Sequence, residues 1–337
     1  MTASPLPGTP RAVHSIDHFA LNVPSLAQAQ HFFTAFGLEV SDAAAPGQAL
    51  ELRAADGHRW ARVLPADGKS LAYLQFNCFA QDFDALRAQV VRAGATPADR
   101  PASLASLELL GETAGTPPDA GFWFHDPDGN LIGVRVGVKT SPDAKPSFTL
   151  NASANGARGT HCRHDVVQVR PRRLSHVLLF TPDVLRSLAF YSDALGLRLS
   201  DRSQDLIAFT HAPHGCDHHL VAFAKSHARG WHHCSWDVAS LDDVGNGAAQ
   251  MAAAGYRHGW GTGRHVLGSN YFHYVQDPWG SFSEYSADID YVAKDQTWPA
   301  GDFDPEDSLY LWGPEVPADF IRNTDTPADT SIGTPRA

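Results

Sequence analysis

Residues 176–201 read HVLLFTPDVLRSLAFYSDALGLRLSD, and residues 18–42 read HFALNVPSLAQAQHFFTAFGLEVSD. Both begin with a histidine on a short apolar run, and Pro24 and Pro182 follow at the same offset. A stretch with helical apolar spacing comes next, carrying a paired aromatic (Phe32-Phe33, Phe190-Tyr191). Both stretches then close on Gly-Leu-x-x-Ser-Asp, at Gly37 and Gly196. The faces expected to be buried are Leu26, Ala29, Phe32, Phe33 and Phe36 in one copy and Val184, Leu185, Leu188, Tyr191 and Leu195 in the other. A repeat at this distance means a duplicated chain.

The second half of each copy matches as well. LAYLQFNCFAQDFDAL from Leu71 corresponds to WHHCSWDVASLDDVG from Trp231, and FWFHDPDGNLIGVRV from Phe122 to YFHYVQDPWGSFSEY from Tyr271. The DPxG at Asp126 and Asp277 marks a turn between two strand-like runs. Each copy thus reads strand, helix, strands, twice over, which is an α+β chain. The expected boundaries are a loose N-terminus at 1–12, domains at 13–138 and 171–292, a polar linker at 139–170 and a C-terminal tail at 293–337. No GxGxxG follows a strand, which argues against a doubly wound nucleotide fold.

The 337 residues are 43% hydrophobic and 19% charged, as in a globular protein with a substantial core. A formal charge of −11 without any Lys/Arg-rich run excludes the footprint of a nucleic-acid binder. Four cysteines without a CxxC pair read as reduced thiols, and no signal peptide or membrane-length apolar run is present, so a soluble cytoplasmic protein is expected. Ten of the 18 histidines fall between His211 and His273, which locates the chemistry in the second copy.

These motifs resemble the two-domain type I extradiol ring-cleavage dioxygenases of the vicinal oxygen chelate superfamily, over about residues 13–315. The resemblance is carried by LSHVLLFTPD, GWHHCSWDV and DPWGSFSEYS. It implies four βαβββ modules, two per domain, each pair forming a curved, barrel-like mixed sheet with helices outside. It also implies that His176, His233 and Glu284 hold Fe(II), with Mn(II) open to the same ligands. Two histidines and one carboxylate leave three coordination positions free, as needed when substrate and O2 both bind. Strand alternation would let the three side chains converge, and would turn the neighbouring His218 and His232 to the opposite faces as structural residues. Alone, any of these histidines would read as structural; the set at these offsets does not.

Three further positions match the family: His219 as acid/base, Tyr274 as the hydrogen-bonding tyrosine, and His265 beside the substrate hydroxyl. Substrate contacts are expected from His211, Asn270, Phe272 and Trp260. Trp260, Phe272, Tyr291, Trp298 and Trp312 read equally as cavity lining or as core aromatics. The family's paired arginines before a tail Trp-Gly are replaced here by Ser308, Leu309 and Tyr310 before Trp312-Gly313, which favours an uncharged catechol. The resemblance implies opening of the catechol by O2 to a muconic semialdehyde and a homo-oligomer of two or four subunits. Two other readings stay open: a glyoxalase-type metal isomerase, and a metal-free binding protein that sequesters small molecules.

The duplication supplies an internal control. His18, Tyr73 and Gly133 stand where His176, His233 and Glu284 stand in the second copy. With two of three ligands missing, the first domain is expected to be structural.

Overall fold

The computed structural model describes residues 11–43, 47–101, 121–150, 152–294 and 296–325. Residues 1–10 and 326–337, in the expected loose ends, lie outside that set. The first half runs β1 (Ser15–Val23), α1 (Leu26–Phe36), β2 (Glu39–Asp42), β3 (Leu50–Arg53), β4 (Arg59–Pro65), β5 (Ser70–Cys78), α2 (Phe83–Arg92), β6 (Thr96–Ala98), β7 (Gly121–His125) and β8 (Leu131–Val136). The second half begins β9 (Arg173–Thr181), α3 (Val184–Leu195), β10 (Arg198–Ser203), β11 (Ile207–His211), β12 (Cys216–Asp217), β13 (Val221–Lys225) and β14 (Gly230–Asp237). It continues α4 (Leu241–Ala253), β15 (Gly259–His265), β16 (Tyr271–Gln276), β17 (Phe282–Ala287), β18 (Tyr291–Val292), β19 (Gly301–Asp302) and β20 (Tyr310–Trp312).

The strands form two large mixed sheets, ordered β2-β3-β4-β1-β5-β8-β7-β6 and β19-β10-β11-β13-β9-β14-β17-β16-β15-β20. Each module's first strand pairs parallel with its own last large strand: β1 with β4, β5 with β8, β9 with β13, β14 with β17. The two modules of each half meet through an antiparallel pair, β1–β5 or β9–β14. This is the α+β architecture of four βαβββ modules. The stretch expected as a tail does more than trail: β19 and β20 extend both edges of the second sheet. The polar stretch 139–170 is tied to both halves, by Thr140 Oγ1 donating to Ile16 O (2.6 Å) and by the Lys145–Asp288 ion pair (2.8 Å).

Local sequence explains the repeated helices. Ser25 and Asp183 cap α1 and α3 by accepting from the backbone N–H three residues on. Gly37 and Gly196 end them at φ +98° and +68°, a left-handed conformation that suits glycine. In α1 the expected residues Ala29, Phe32, Phe33 and Phe36 are buried and Leu26 is half-buried. In α3 Val184, Tyr191 and Leu195 are buried, Leu188 is half-buried and Leu185 faces outward, while Phe190 is buried and packs toward Phe124 of the first half. One apolar core spans both halves: Phe19 packs on Trp231, and Phe36 stacks on Tyr285 at 3.9 Å between ring centres. The four cysteines are free, and no helix among the described residues is long and apolar enough to cross a membrane.

Candidate metal centre and active site

His176 from β9, His233 from β14 and Glu284 from β17 meet on three adjacent strands of the second sheet. All three are buried, and their ligand atoms lie within 4.8 Å of one another. Glu284 Oε2 is 3.3 Å from His176 Nε2 and 3.8 Å from His233 Nε2. Both Glu284 Oε2 and His233 Nε2 are buried without a hydrogen-bond partner. Two orphaned buried acceptors aimed at one point are costly unless a cation satisfies both, so the donor set fits a divalent metal.

The neighbours orient these ligands. Ser175 Oγ donates to Asp217 (2.6 Å), so it accepts from His176 Nδ1 at 3.2 Å, and that leaves His176 Nε2 as the lone pair. Asp217 is itself held by a two-pronged pair with Arg173 (2.8 and 2.9 Å). Asn270 Nδ2 donates to Glu284 Oε1 at 3.0 Å and to Ser286 Oγ at 2.9 Å. Supports of this kind fix the tautomer and rotamer of a ligand.

His219, His265 and Tyr274 line the same cavity as His176 and His233. The His219 ring is 3.9 Å from that of His176. Burial, then the neighbouring His176, holds its pKa well below the ordinary value, so His219 is neutral near pH 7. Its Nδ1 faces His218 Nδ1 at 3.1 Å, and His218 Nε2 is anchored on Asp201 at 2.7 Å. His265 donates from Nδ1 to Leu309 O (2.7 Å), so its Nε2 accepts the Tyr274 hydroxyl at 2.9 Å. Burial and the Glu284 charge hold the Tyr274 phenol protonated, well above its usual pKa.

Of the four residues expected to touch substrate, the structure brings only Asn270 to the cavity wall. Trp260 and Phe272 lie behind that wall: Trp260 donates to Pro314 O (2.9 Å), and Phe272 stacks on His265 at 4.1 Å. His211 bonds Ser200 at 2.8 Å away from the cavity. Tyr291, Trp298 and Trp312 are not cavity residues either: Tyr291 and Trp298 bond Pro142 O and Asp201, and Trp312 is 44% exposed. The wall is instead formed by Leu178, Ile207, Phe209, Leu267, Leu309 and Phe320, with Ser308 and Ile321 beside the last two. Ile207 and Phe209 present one face of β11 to the cavity, and Phe320 and Ile321 approach it from the C-terminal stretch. His232 also departs from expectation. A bulge between Trp231 and His233 breaks the alternation of β14, so His232 reaches the cavity beside His233 instead of turning to the opposite face.

The first half shows the same frame dismantled. Tyr73 faces Ala20 as His233 faces Leu178, and Gly133 pairs with Gln75 as Glu284 pairs with Ser235. Trp123 occupies the register position of Tyr274 and fills the space: a Cβ on Gly133 would lie 2.7 Å from its ring. His18 is spent on Asp17 (2.6 Å) and on the Tyr73 hydroxyl (2.9 Å). Among the described residues of this half no metal-ligand set occurs.

Comparison with known proteins agrees with this frame. The model of the Glyoxalase/Bleomycin resistance protein/Dioxygenase superfamily matches residues 173–285. The chain is 59% identical to metapyrocatechase 2 of Cupriavidus necator over 93% of either chain. It superposes on the Mn(II)-bound glyoxalase from Novosphingobium aromaticivorans with a TM-score of 0.70 at 26% identity, covering 92% of this chain and 94% of that one. It also shares its fold with a variant of homoprotocatechuate 2,3-dioxygenase from Brevibacterium fuscum, at a TM-score of 0.72 and 19% identity, covering 97% and 86%. The chain belongs to the type I extradiol ring-cleavage dioxygenases of the vicinal oxygen chelate superfamily. It is an oxidoreductase.

Proposed function

We propose that the protein opens the ring of an uncharged catechol beside its hydroxyl pair with O2, at one Fe(II) held by His176, His233 and Glu284. The observation that carries this reading is the buried triad with two unpartnered ligand atoms, whose two histidines line an apolar cavity together with His219, His265 and Tyr274. Bound there, the metal would supply a chelation point for both catechol oxygens and for O2, and would lower the acidity barrier of the first hydroxyl.

The protein's own groups do the rest. His219 is neutral and its Nδ1 is engaged by His218, so Nε2 is the atom that takes the second hydroxyl proton and later returns it. Tyr274, held by His265, presents its phenol oxygen to the substrate. Asn270 keeps the Glu284 carboxylate turned inward. The apolar wall excludes water. Among the described residues no lysine or arginine lines the cavity, so a carboxylate on the substrate would be buried unpaired there, which favours an unsubstituted, alkyl- or aryl-substituted catechol. Free cysteines suit the cytoplasm, and assembly as a homodimer or homotetramer belongs to the same reading.

Protein purified without air and loaded with Fe(II) should turn catechol yellow on exposure to air, and His233→Ala should not. A wild-type rate in that variant would remove His233 from the site. No product from any of a panel of uncharged catechols would overturn the substrate reading.

A further inference from the structure

We propose that His232 is a positioning residue that sets the tautomer of the metal ligand His233. This rests on the reading of His233 as a ligand. The bulge in β14 brings the two Nδ1 atoms to 2.6 Å, too close for both to carry a hydrogen. The other nitrogen of His232 decides which one does. His232 Nε2 lies 2.8 Å from the carbonyl oxygen of Phe320, which can only accept, so Nε2 carries the proton. Aromatic rings of Phe180, Phe282 and Phe320 enclose the rest of the imidazole. Among the described residues no carboxylate pairs with that ring, and an unpaired imidazolium enclosed by aromatic rings is costly, so the ring is neutral.

A neutral His232 protonated at Nε2 has a bare Nδ1. It therefore accepts from His233 Nδ1–H, and His233 is left with its lone pair on Nε2, the buried atom that has no partner and faces Glu284. A reversed relay would put a proton on that atom and block coordination. The two histidine ligands are thus supported differently. His176 is backed by a hydroxyl and a carboxylate, whereas His233 is backed by a second imidazole that hangs on the C-terminal stretch. Docking of residues near Phe320 is in this way coupled to the metal site through one backbone carbonyl.

The test is metal affinity and tautomer state rather than turnover. In metal-free protein carrying 15N-histidine, imidazole nitrogen shifts should show His233 protonated at Nδ1 and His232 at Nε2; the opposite assignment for either overturns the inference. Mn(II) affinity, read by competition with a chelator, should fall about 10–100-fold in His232→Phe, which fills the space and removes the acceptor. His232→Gln, which keeps one acceptor and one donor, should recover most of that loss. Unchanged affinity in His232→Phe, with binding lost in His233→Ala, overturns the positioning role alone. Retained binding in His233→Ala overturns the ligand reading beneath it. If His232→Phe does not fold, the nitrogen shifts of the unaltered protein decide.

Discussion

At the scale of single residues, the site is a problem of buried polarity. Glu284 and His233 each carry an atom with no partner, and the surrounding hydrogen bonds are arranged so that those atoms stay bare. The proposed proton carrier is a different residue, His219, whose ring lies against His176 while its Nδ1 is engaged by His218. Replacing His219 by Phe should lower kcat by about 10²–10⁴-fold while metal content stays at the level of the unaltered protein. Parallel loss of metal would show that His219 supports the triad instead of the proton. The triad was legible in the sequence because the first copy provides a ruler: the same frame reads His18, Tyr73 and Gly133 where the second reads His176, His233 and Glu284. His232 was not legible as a support. Alternation turned it away, and a bulge, which depends on how β14 pairs with β9, turned it back.

At the scale of elements, helix ends carry much of the fold's specification. Gly196 ends α3 at φ +68°, and a Cβ there would meet Arg11 O at 2.4 Å and Ala12 Cβ at 2.7 Å. Gly196→Ala should therefore lose more than the roughly 1 kcal/mol of a left-handed alanine alone, because backbone from the first half closes on the same point. A midpoint in urea unchanged within error would contradict that. The module order was readable for the same reason: capping residues, apolar spacing and DPxG turns are local signals. The edge strands β19 and β20 were not, since runs of two and three residues carry no periodicity of their own and exist only where the sheet offers a partner.

At the scale of the molecule, buried neutral histidines set the response to acid. Burial lowers His14, His211 and His273, outside the metal set, from 6.5 to about 4. Between those values the unfolded chain binds protons that the folded chain does not, so stability should rise with pH through this window and fall on acidification from about 6.5 towards 4. Thermal midpoints that stay flat from pH 7 to 4.5 would sink this expectation. The same scale explains how the cavity closes. Leu309, Pro314 and Phe320 are each gripped through a main-chain carbonyl, by His265, Trp260 and His232. A carbonyl is present at every residue, so no side-chain pattern announces it. The sequence by itself determined the duplication and the module order, and it singled out His176, His233 and Glu284 against His18, Tyr73 and Gly133 in the first copy, because those rest on residue type at repeated spacing. Only the tertiary structure decided which side chains wall the cavity, that the C-terminal stretch covers it, and that His232 faces inward. Those depend on strand register and on backbone groups that carry no residue identity.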